Sequence, residues 1–359
     1  MKKIHALFYF LLLCNFMQAQ SLSAYFDYKN YFFVFDNGQS KEMEYMPVKW
    51  YKTGKNAVAY VDNTGNFKGY YNGQTTQLMD VAPANCIPAD DFIVYYSTKM
   101  LRVFDRGNSV LLSGWTTDYV VGDSITGFFD EKYNTYKIYY RGEVLPLPNA
   151  AGEQIKVVCA GDNLLAYKGS NDFLKIYYNN QVFNLEINQI SNCRAAANTV
   201  AFMDESEQAF KVFYKGSLIT LEKFTPQSFI VGDDMVAYLD NNSNLKVFYQ
   251  DRIIQLSPFV PQLYKVSDNI FIYADDINFN VFYKGDSYTL EKYIPKDYQI
   301  DLSTLAYIDR EGYLNAFYNG KTKRVHNEKP VSYELSGNTI KFVTSVSNEI
   351  HFFMNGRVY

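Results

Sequence analysis

The sequence predicts an all-β protein, a single large β-propeller of about ten short four-stranded blades. Three observations support this fold class. One pattern recurs along the chain, for example as "FKVFYKGSLITL" from residue 210 and "LKVFYQDRIIQL" from residue 245. Aromatic residues make up 18% of the chain, with 33 tyrosines, and such residues favour strands over helices. In two segments of each copy the apolar residues are consecutive, which indicates strands buried on both faces.

The repeat is most easily aligned on a turn residue that follows an aromatic strand. This residue recurs ten times, at intervals of 34 to 38 residues, so the period is about 35. The ten positions are Gly38, Gly73, Gly107, Gly142, Asn180, Gly216, Asp251, Gly285, Gly320 and Gly356. A fixed period of this length is typical of propellers and solenoids. We therefore assign residues 21–359 to one repeat domain. The ten copies fill this range, so we expect no second, non-repeating domain within it.

One copy, residues 228–257, shows the four strands of the unit. "SFIVGD" is strand A, "MVAYLD" is strand B, "LKVFYQ" is strand C and "RIIQLS" is strand D. The turn formers "NNSN" separate B from C. The residue between C and D is glycine in most copies, and Asn180 and Asp251 stand there in two, so the turn requires a residue that tolerates a positive φ. A unit this short has no room for a helix.

The way the blades pack follows from strands B and C. Neighbouring residues in a strand point to opposite faces of the sheet, so both faces of each small sheet must be covered. A ring of sheets packed face to face meets this requirement. Two smaller propellers or an open β solenoid are the alternatives. Alanine precedes the strand B aromatic in several copies, where a small side chain lets the facing sheet approach: Ala59, Ala166, Ala201, Ala237 and Ala306. The first copy begins at Leu22 and lacks strand A.

The copies also resemble the TolB-type, or PD40, propeller repeat. "GDDMVAYLDNNSNLKVFYQDRIIQL" (232–256) follows the order of that family's blade, in which an Asp-Gly turn, an "IAF" strand, an acidic turn, an "IYVMD" strand and a closing "LT" succeed one another. The copies here are shorter and lack the family's Ser-Pro before the first turn. The resemblance implies a WD40-like blade layout and says little about function, because propellers host many functions.

Residues 1–20 read as a secretory signal peptide. Lys2 and Lys3 precede the apolar run of residues 6–16, and Ala19 stands beside an expected cleavage close to Gln20. A lipoprotein signal with Cys14 as the acylated residue is the alternative. No later segment approaches the length of a membrane helix. We therefore predict export from a bacterial cell to the periplasm, the outer surface or the medium.

Charge and cysteine content narrow the function classes. The mature chain has a net charge of (34 − 2) − 38 = −6 and no basic cluster, so nucleic acid is not an expected partner. Cys86, Cys159 and Cys193 are interpreted as small buried apolar residues. A Cys159–Cys193 bridge is the alternative, because both residues fall in the same strand of neighbouring repeats and export permits oxidation.

Candidate binding residues lie at the end of the ring that carries the B–C turns and D–A linkers, because loops on a rigid scaffold are where binding usually occurs. The aromatic candidates are Trp50, Trp115, Phe224, Phe259 and Tyr293. The acidic candidates are Asp62, Asp130, Asp204, Asp240, Asp275 and Asp309. Repetition of Asp123, Asp162, Asp233 and Asp268 in A–B turns is interpreted as structural.

Metal and catalytic motifs are weak. Asp240, Asn242 and Asn244 alternate as oxygen ligands of a structural calcium ion do, but they are also ordinary turn residues, and no other cofactor is expected. His326 is interpreted as solvated and His351 as a sheet residue. No nucleophile elbow or metalloprotease motif occurs.

The sequence therefore favours a non-catalytic binding scaffold with a protein partner in an envelope complex or outside the cell. A carbohydrate-binding module that uses the linker aromatics is the first alternative. A polysaccharide hydrolase or lyase that uses a carboxylate pair is the second.

Overall fold

The computed structural model describes residues 22–148 and 155–359, and every regular element in these ranges is a β-strand. The predicted signal peptide, its cleavage near Gln20 and the alternative acylation of Cys14 lie outside the described residues. No helix in the described part of the chain is long and apolar enough to cross a membrane. We number the strands β1 to β39 along the chain and the sheets as blades 1 to 10.

The inner half of each blade consists of strands A and B. The A strands of blades 2 to 10 are β4 (Trp50–Thr53), β8 (Asn85–Pro88), β12 (Tyr119–Val121), β16 (Lys156–Ala160), β20 (Ile190–Ala196), β24 (Ser228–Gly232), β28 (Leu263–Ser267), β32 (Tyr298–Asp301) and β36 (Pro330–Ser336). The B strands of blades 1 to 10 are β1 (Ser23–Phe26), β5 (Val58–Val61), β9 (Phe92–Ser97), β13 (Ile125–Asp130), β17 (Leu164–Lys168), β21 (Thr199–Asp204), β25 (Met235–Leu239), β29 (Ile270–Asp275), β33 (Thr304–Ile308) and β37 (Thr339–Thr344).

The outer half of each blade consists of strands C and D. The C strands of blades 1 to 10 are β2 (Phe32–Asp36), β6 (Phe67–Tyr71), β10 (Met100–Asp105), β14 (Thr135–Tyr140), β18 (Leu174–Tyr178), β22 (Ala209–Tyr214), β26 (Leu245–Tyr249), β30 (Asn278–Tyr283), β34 (Leu314–Tyr318) and β38 (Ile350–Met354). The D strands are β3 (Gln39–Glu44), β7 (Gln74–Met79), β11 (Asn108–Ser113), β15 (Glu143–Pro146), β19 (Gln181–Asn184), β23 (Ser217–Glu222), β27 (Arg252–Ser257), β31 (Asp286–Glu291), β35 (Lys321–Arg324) and β39 (Arg357–Val358).

Each blade is an antiparallel meander in the order A-B-C-D, which confirms the predicted unit. Blade 1 has three strands in the described residues, in the order B-C-D, and the other nine blades have four. The chain therefore forms one all-β propeller of ten blades.

The turn between strands C and D is the same in all ten blades. The ten aligned turn residues all have a positive φ, including Asn180 (62°) and Asp251 (61°). The residue before each of them also has a positive φ, for example Asn37 at 50° and Lys215 at 48°. Two consecutive positive φ values define the hairpin turn that matches the twist of the strands. The predicted conformational requirement is confirmed.

Strands B and C form the core because both of their faces are covered. All six residues of β21 and all six of β22 are buried. Ala201 and Phe210 of blade 6 pack in one cluster with Val236 and Tyr238 of blade 7. The five alanines that precede strand B aromatics are all buried. Blade-to-blade packing therefore supplies the core, as the consecutive apolar pattern predicts.

The ring closes where blade 10 packs on blade 1. The rings of Phe35 and Phe352 stack with centroids 4.0 Å apart, and Tyr25 and Met354 join the same buried cluster. Ser336 in the A strand of blade 10 donates a hydrogen bond to the Leu22 carbonyl at 3.3 Å. Closure by face packing, without an exchanged strand in the described residues, shows that the open solenoid and the paired propellers are the wrong alternatives.

The inner strands of neighbouring blades approach closely at glycines. A Cβ atom added to Gly161 would lie 2.2 Å from the Ala196 carbonyl oxygen, and one added to Gly122 would lie 1.9 Å from the Gly161 carbonyl oxygen. Cys159 of β16 and Cys193 of β20 are joined by a disulfide bond across the same kind of contact. The interpretation of these two cysteines as free buried residues is wrong, because adjacent inner strands bring the equivalent positions together. Cys86 is free and buried, as predicted.

Candidate functional site

The two ends of the ring differ in their exposed side chains. We call the end with the B–C turns and D–A linkers the linker face, and the end with the A–B and C–D turns the turn face. Of the 17 large apolar side chains that are exposed among the described residues, 10 lie in B–C turns and D–A linkers. They are Tyr28, Tyr45, Met46, Val81, Trp115, Tyr133, Phe259, Val260, Ile277 and Val346.

The remaining exposed apolar side chains do not lie on the turn face loops. Five are in D strands, at Leu111, Val144, Leu218, Ile253 and Val358; Val331 is in the A strand β36, and Tyr359 is the last residue. Within the described ranges, the A–B and C–D turns thus contribute none of the 17. Exposed apolar side chains concentrated on one surface are typical of interaction sites.

The five predicted aromatic candidates divide into two groups. Trp115 and Phe259 are 52% and 71% exposed on the linker face. Trp50 is half-buried in β4 with its ring 5.8 Å from that of Phe67. Phe224 is also half-buried. Tyr293 is half-buried, and its hydroxyl accepts a hydrogen bond from the backbone N–H of Arg310 at 2.8 Å. Within this group, Trp115 and Phe259 are therefore the residues that expose half or more of their surface to solvent.

The six predicted aspartates occupy one structural position, the end of strand B or the start of the B–C turn. Asp62, Asp130, Asp204 and Asp240 are buried, and the other two are half-buried. Each carboxylate accepts hydrogen bonds from its own turn or from the adjacent strand C; Asp275 accepts from the Asn280 side chain and Asp309 from the Tyr313 backbone. These carboxylates stabilise the hairpins on which the linker face is built.

The Asp240 turn shows how this stabilisation extends between blades. Asn242 and Asn244 donate backbone hydrogen bonds to Asp240, and the Asn244 side chain donates a further one at 2.9 Å. Lys246 contacts Asp240 at 2.9 Å and Glu222 of the preceding blade at 2.7 Å. Burial alone raises the pKa of Asp240, but the hydrogen bonds from Asn244 and Lys246 outweigh it and lower the pKa to about 2.

The geometry of this turn bears on the calcium prediction. The three candidate residues hydrogen-bond to one another, which fits the alternative interpretation as a turn. No group of three or more histidine, cysteine or acidic side chains suited to a metal ion occurs among the residues that the structure describes. The link from Glu222 to Lys246 was not predicted, because the two residues lie 24 positions apart and only the ring places them together.

The turn face carries a second feature, a belt of A–B turns joined from blade to blade. The Asp90 backbone N–H donates to the Asp123 carbonyl at 3.0 Å, and Ser124 donates in the same way to Asp162 at 2.9 Å. Asp233 donates to the Asp268 carbonyl at 2.9 Å. Turns of blades that are not neighbours line one central cavity, to which Lys55, Asp90, Asp123, Leu302 and Gly337 contribute.

Carboxylates dominate this belt, and their environment raises their pKa values. Burial is the main cause for Asp123, Asp233 and Asp268, and repulsion from neighbouring aspartates adds to it. The pKa is raised to about 6 for Asp123, about 7 for Asp233 and about 8 for Asp268. Lys55, which contacts Asp90 at 3.0 Å, partly offsets the repulsion. The belt is consistent with the interpretation of these turns as structural. Each carboxylate nevertheless destabilises the belt when it is ionised.

The belt predicts that stability falls as pH rises. Between about pH 4 and pH 8 the unfolded aspartates are ionised while the folded ones retain protons, so the folded state binds more protons and ionisation favours unfolding. We expect the free energy of unfolding to be about 2 kcal/mol lower at pH 8 than at pH 5, after allowance for solvent screening. Urea unfolding at the two pH values measures this difference. The depressed pKa of Asp240 acts only in more acidic solution.

The Asp268→Asn substitution tests whether the aspartate belt causes this pH dependence of stability. Asp268 has a positive φ that asparagine tolerates, and the variant should lose a large part of the pH dependence. Asp172→Asn is the matched control, because Asp172 also has a positive φ but is 73% exposed on the linker face. Equal pH dependence in the Asp268→Asn variant and in the wild type would show that the belt is not the source.

The two histidines lie together at the edge of blade 10. His351 is in strand C, as predicted, and its ring stacks on that of His326 with centroids 5.3 Å apart. His326 also contacts Phe342 at 5.7 Å and is half-buried. The interpretation of His326 as a solvated linker residue is wrong, because the D–A linker folds back on the face of its neighbouring blade.

Comparisons with known proteins agree with this architecture. A family model described as a 10-bladed beta propeller domain matches residues 16–359. A search of curated proteins found no match. The TolB-type resemblance is not confirmed, since the matching family is defined by its ten blades.

The solved structures that match the chain have low sequence identity to it and low TM-scores. The computationally designed Ika8 protein is 13% identical with a TM-score of 0.33, over 76% of this chain and 96% of that one. The CRINKLY WD40 ectodomain of the Arabidopsis thaliana receptor kinase ACR4 is 11% identical with a TM-score of 0.36, over 66% and 95%. PorZ, a surface component of the type-IX secretion system of Porphyromonas gingivalis, is 9% identical with a TM-score of 0.32, over 87% and 51%.

Identities and TM-scores this low carry no argument about function. The family model, in contrast, spans nearly the whole sequence, and the structure has ten blades in one ring. The chain therefore belongs to the family of 10-bladed beta-propeller domains.

Proposed function

We propose that the protein is an exported, non-catalytic scaffold that binds a protein partner through its linker face. The observation that carries this proposal is the one-sided distribution of exposed large apolar side chains: of the 17 in the described part of the chain, 10 lie in the linker-face loops. Burial of such side chains against a partner is favourable by roughly 25 cal/mol for each Å² of apolar surface removed from water. The turn face is rich in carboxylates, and its loops carry none of the exposed large apolar side chains found in residues 22–148 and 155–359.

Rigidity of the loops supports the same role. The Asp62 and Asp240 turns are held by several hydrogen bonds within the turn and by Lys68 and Lys246. Loops that are ordered before binding lose little conformational entropy when a partner docks. The aspartates of the linker face therefore serve recognition indirectly, by fixing the B–C turns that lie on the same face as the exposed side chains.

Export is part of the proposal and is supported by two observations. The first is the signal-like sequence of residues 1–20. The second is the Cys159–Cys193 disulfide, because disulfides persist mainly in oxidising compartments such as the periplasm or the extracellular space. We place the partner in the cell envelope or outside the cell for this reason.

Site-specific photo-crosslinking in the producing cells tests the proposal. A crosslinking amino acid is placed at Phe259 on the linker face and, as a control, at Ser217, which is exposed beside a C–D turn. We expect a discrete protein adduct at position 259, its loss when Tyr45→Asp is added on the same face, and no adduct at position 217. Adducts at position 217 alone, or none at either position, would refute the linker face as the binding surface.

A further inference from the structure

Blade 4 presents a cluster on the linker face that core packing does not explain. Trp115 in the linker before the blade is 52% exposed, and Tyr133 in the B–C turn is 60% exposed. Gly114, Trp115, Glu131 and Lys132 line one open pocket. Buried aromatic residues are explained by core packing, but an exposed indole at a pocket with charged groups, with a second exposed ring on the same blade, indicates a binding site.

The backbone under this pocket is fixed from two sides. The Glu131 N–H donates to the Trp115 carbonyl at 3.1 Å, which ties the B–C turn to the linker. Ser113 Oγ donates to the same carbonyl at 2.9 Å, and the Trp115 N–H donates to Ser113 Oγ at 3.1 Å. Ser113 itself is buried. The backbone that carries Trp115 and Glu131 is therefore fixed beside the pocket that these residues and Lys132 line.

A lysine lies over the indole of Trp115, and about half of the residue remains exposed to solvent. The Lys99 ammonium lies 4.2 Å from the centroid of the Trp115 ring, a distance typical of a cation–π contact. This contact orients the ring and leaves half of the side chain in solvent. Trp50 gives the contrast, because its ring packs on Phe67 inside the molecule.

We propose that this cluster, which we call the Trp115 site, binds a pyranose ring of an oligosaccharide. The axial C–H groups of a pyranose form an apolar face that stacks on an indole, and its hydroxyl groups both donate and accept hydrogen bonds. Glu131 supplies acceptors and Lys132 supplies donors at the rim of the pocket. In the described part of the chain, Glu131 accepts only one side-chain hydrogen bond, from Thr117 at 3.3 Å, and Lys132 lies over the Tyr133 ring. An apolar peptide over the pocket would offer neither charge a further hydrogen bond, whereas sugar hydroxyls would, so the sugar fits the chemistry better. This proposal goes beyond the protein-binding role and does not rest on it.

Isothermal titration of the full chain with defined probes tests the Trp115 site. The probes are hexasaccharides derived from cellulose, xylan, mannan and chitin. We expect at least one to bind with a millimolar or lower Kd, and Trp115→Ala to weaken that binding by about tenfold or more. Glu131→Gln should weaken it less, because an amide still accepts a hydrogen bond. Ile253→Ala is the control, since it removes an exposed apolar side chain in the D strand β27, outside the linker-face loops, and its Kd should stay within about twofold.

The outcomes separate this proposal from the protein-binding one. Binding that survives Trp115→Ala, or no binding of any of the four probes, would overturn the sugar site. Binding of an apolar peptide that Trp115→Ala abolishes, without any sugar binding, would overturn it as well and assign the pocket to a protein. None of these results depends on the crosslink at Phe259.

Discussion

Replacing Gly161 by alanine should lower the free energy of unfolding by about 3 kcal/mol, near the upper end for overpacked sites. The added Cβ would lie 2.2 Å from the Ala196 carbonyl oxygen and 3.0 Å from the Ala196 Cα. Both atoms belong to the backbone of the next blade, so no side chain can rotate away. Relief requires the inner strands of blades 5 and 6 to separate, and this strain passes to the whole ring. Urea-induced unfolding followed by far-UV circular dichroism measures the loss.

Gly114→Ala is the matched control for this substitution. A Cβ at Gly114 would meet no atom within 4 Å, and its φ is not in the positive region. The control should therefore change stability by less than about 0.5 kcal/mol. If Gly161→Ala were as stable as Gly114→Ala, the inner strands would not be in the close contact that the ring requires.

Removal of the Cys159–Cys193 disulfide should cost a similar amount, about 3 to 4 kcal/mol. The bond closes a loop of 34 residues, and a crosslink of that span removes chain entropy from the unfolded state on the order of this value. It also joins the inner strands of two neighbouring blades, which approach closely at Gly161. We expect the double variant Cys159→Ala/Cys193→Ala to unfold at a clearly lower urea concentration than the wild type.

A reducing agent provides the internal control. It should destabilise the wild type to the level of the double variant and leave the double variant unchanged, because Cys86 is a free thiol. Burial also raises the pKa of Cys86 to about 12, which keeps its thiol protonated and unreactive. Equal stability of the oxidised and reduced wild type would show that the disulfide contributes nothing to the ring.

The architecture could be predicted from the sequence because it is determined by local sequence patterns that recur in every blade. Gly38 and its nine counterparts mark a turn that needs a positive φ, and the alternation of turn residues with apolar runs separates the strands. Consecutive apolar residues in β21 and β22 show that both faces are buried. These signals depend on neighbours in the chain, so a single sequence contains them. The number of copies then gives the number of blades.

The candidate site could be predicted only in part, because it depends on how one blade sits against the next. Phe259 is exposed and Trp50 is half-buried, although the sequence presents both as linker candidates. The bonds from Lys246 to Glu222 and from Asp233 to Asp268 join residues of neighbouring blades. A separation of about one repeat period between two residues indicates that such a contact is possible, as for Cys159 and Cys193. The separation alone does not determine which side chains are in contact. The repulsion within the aspartate belt likewise appears only when the ring is closed.

The most direct test of the account is an electron-microscopy reconstruction of the protein purified together with its partner from the producing cells. The account predicts a closed ring of ten blades with additional density on the linker face, over the loops that carry Trp115 and Phe259. Partner density over the turn face, or an elongated particle with no ring, would contradict it.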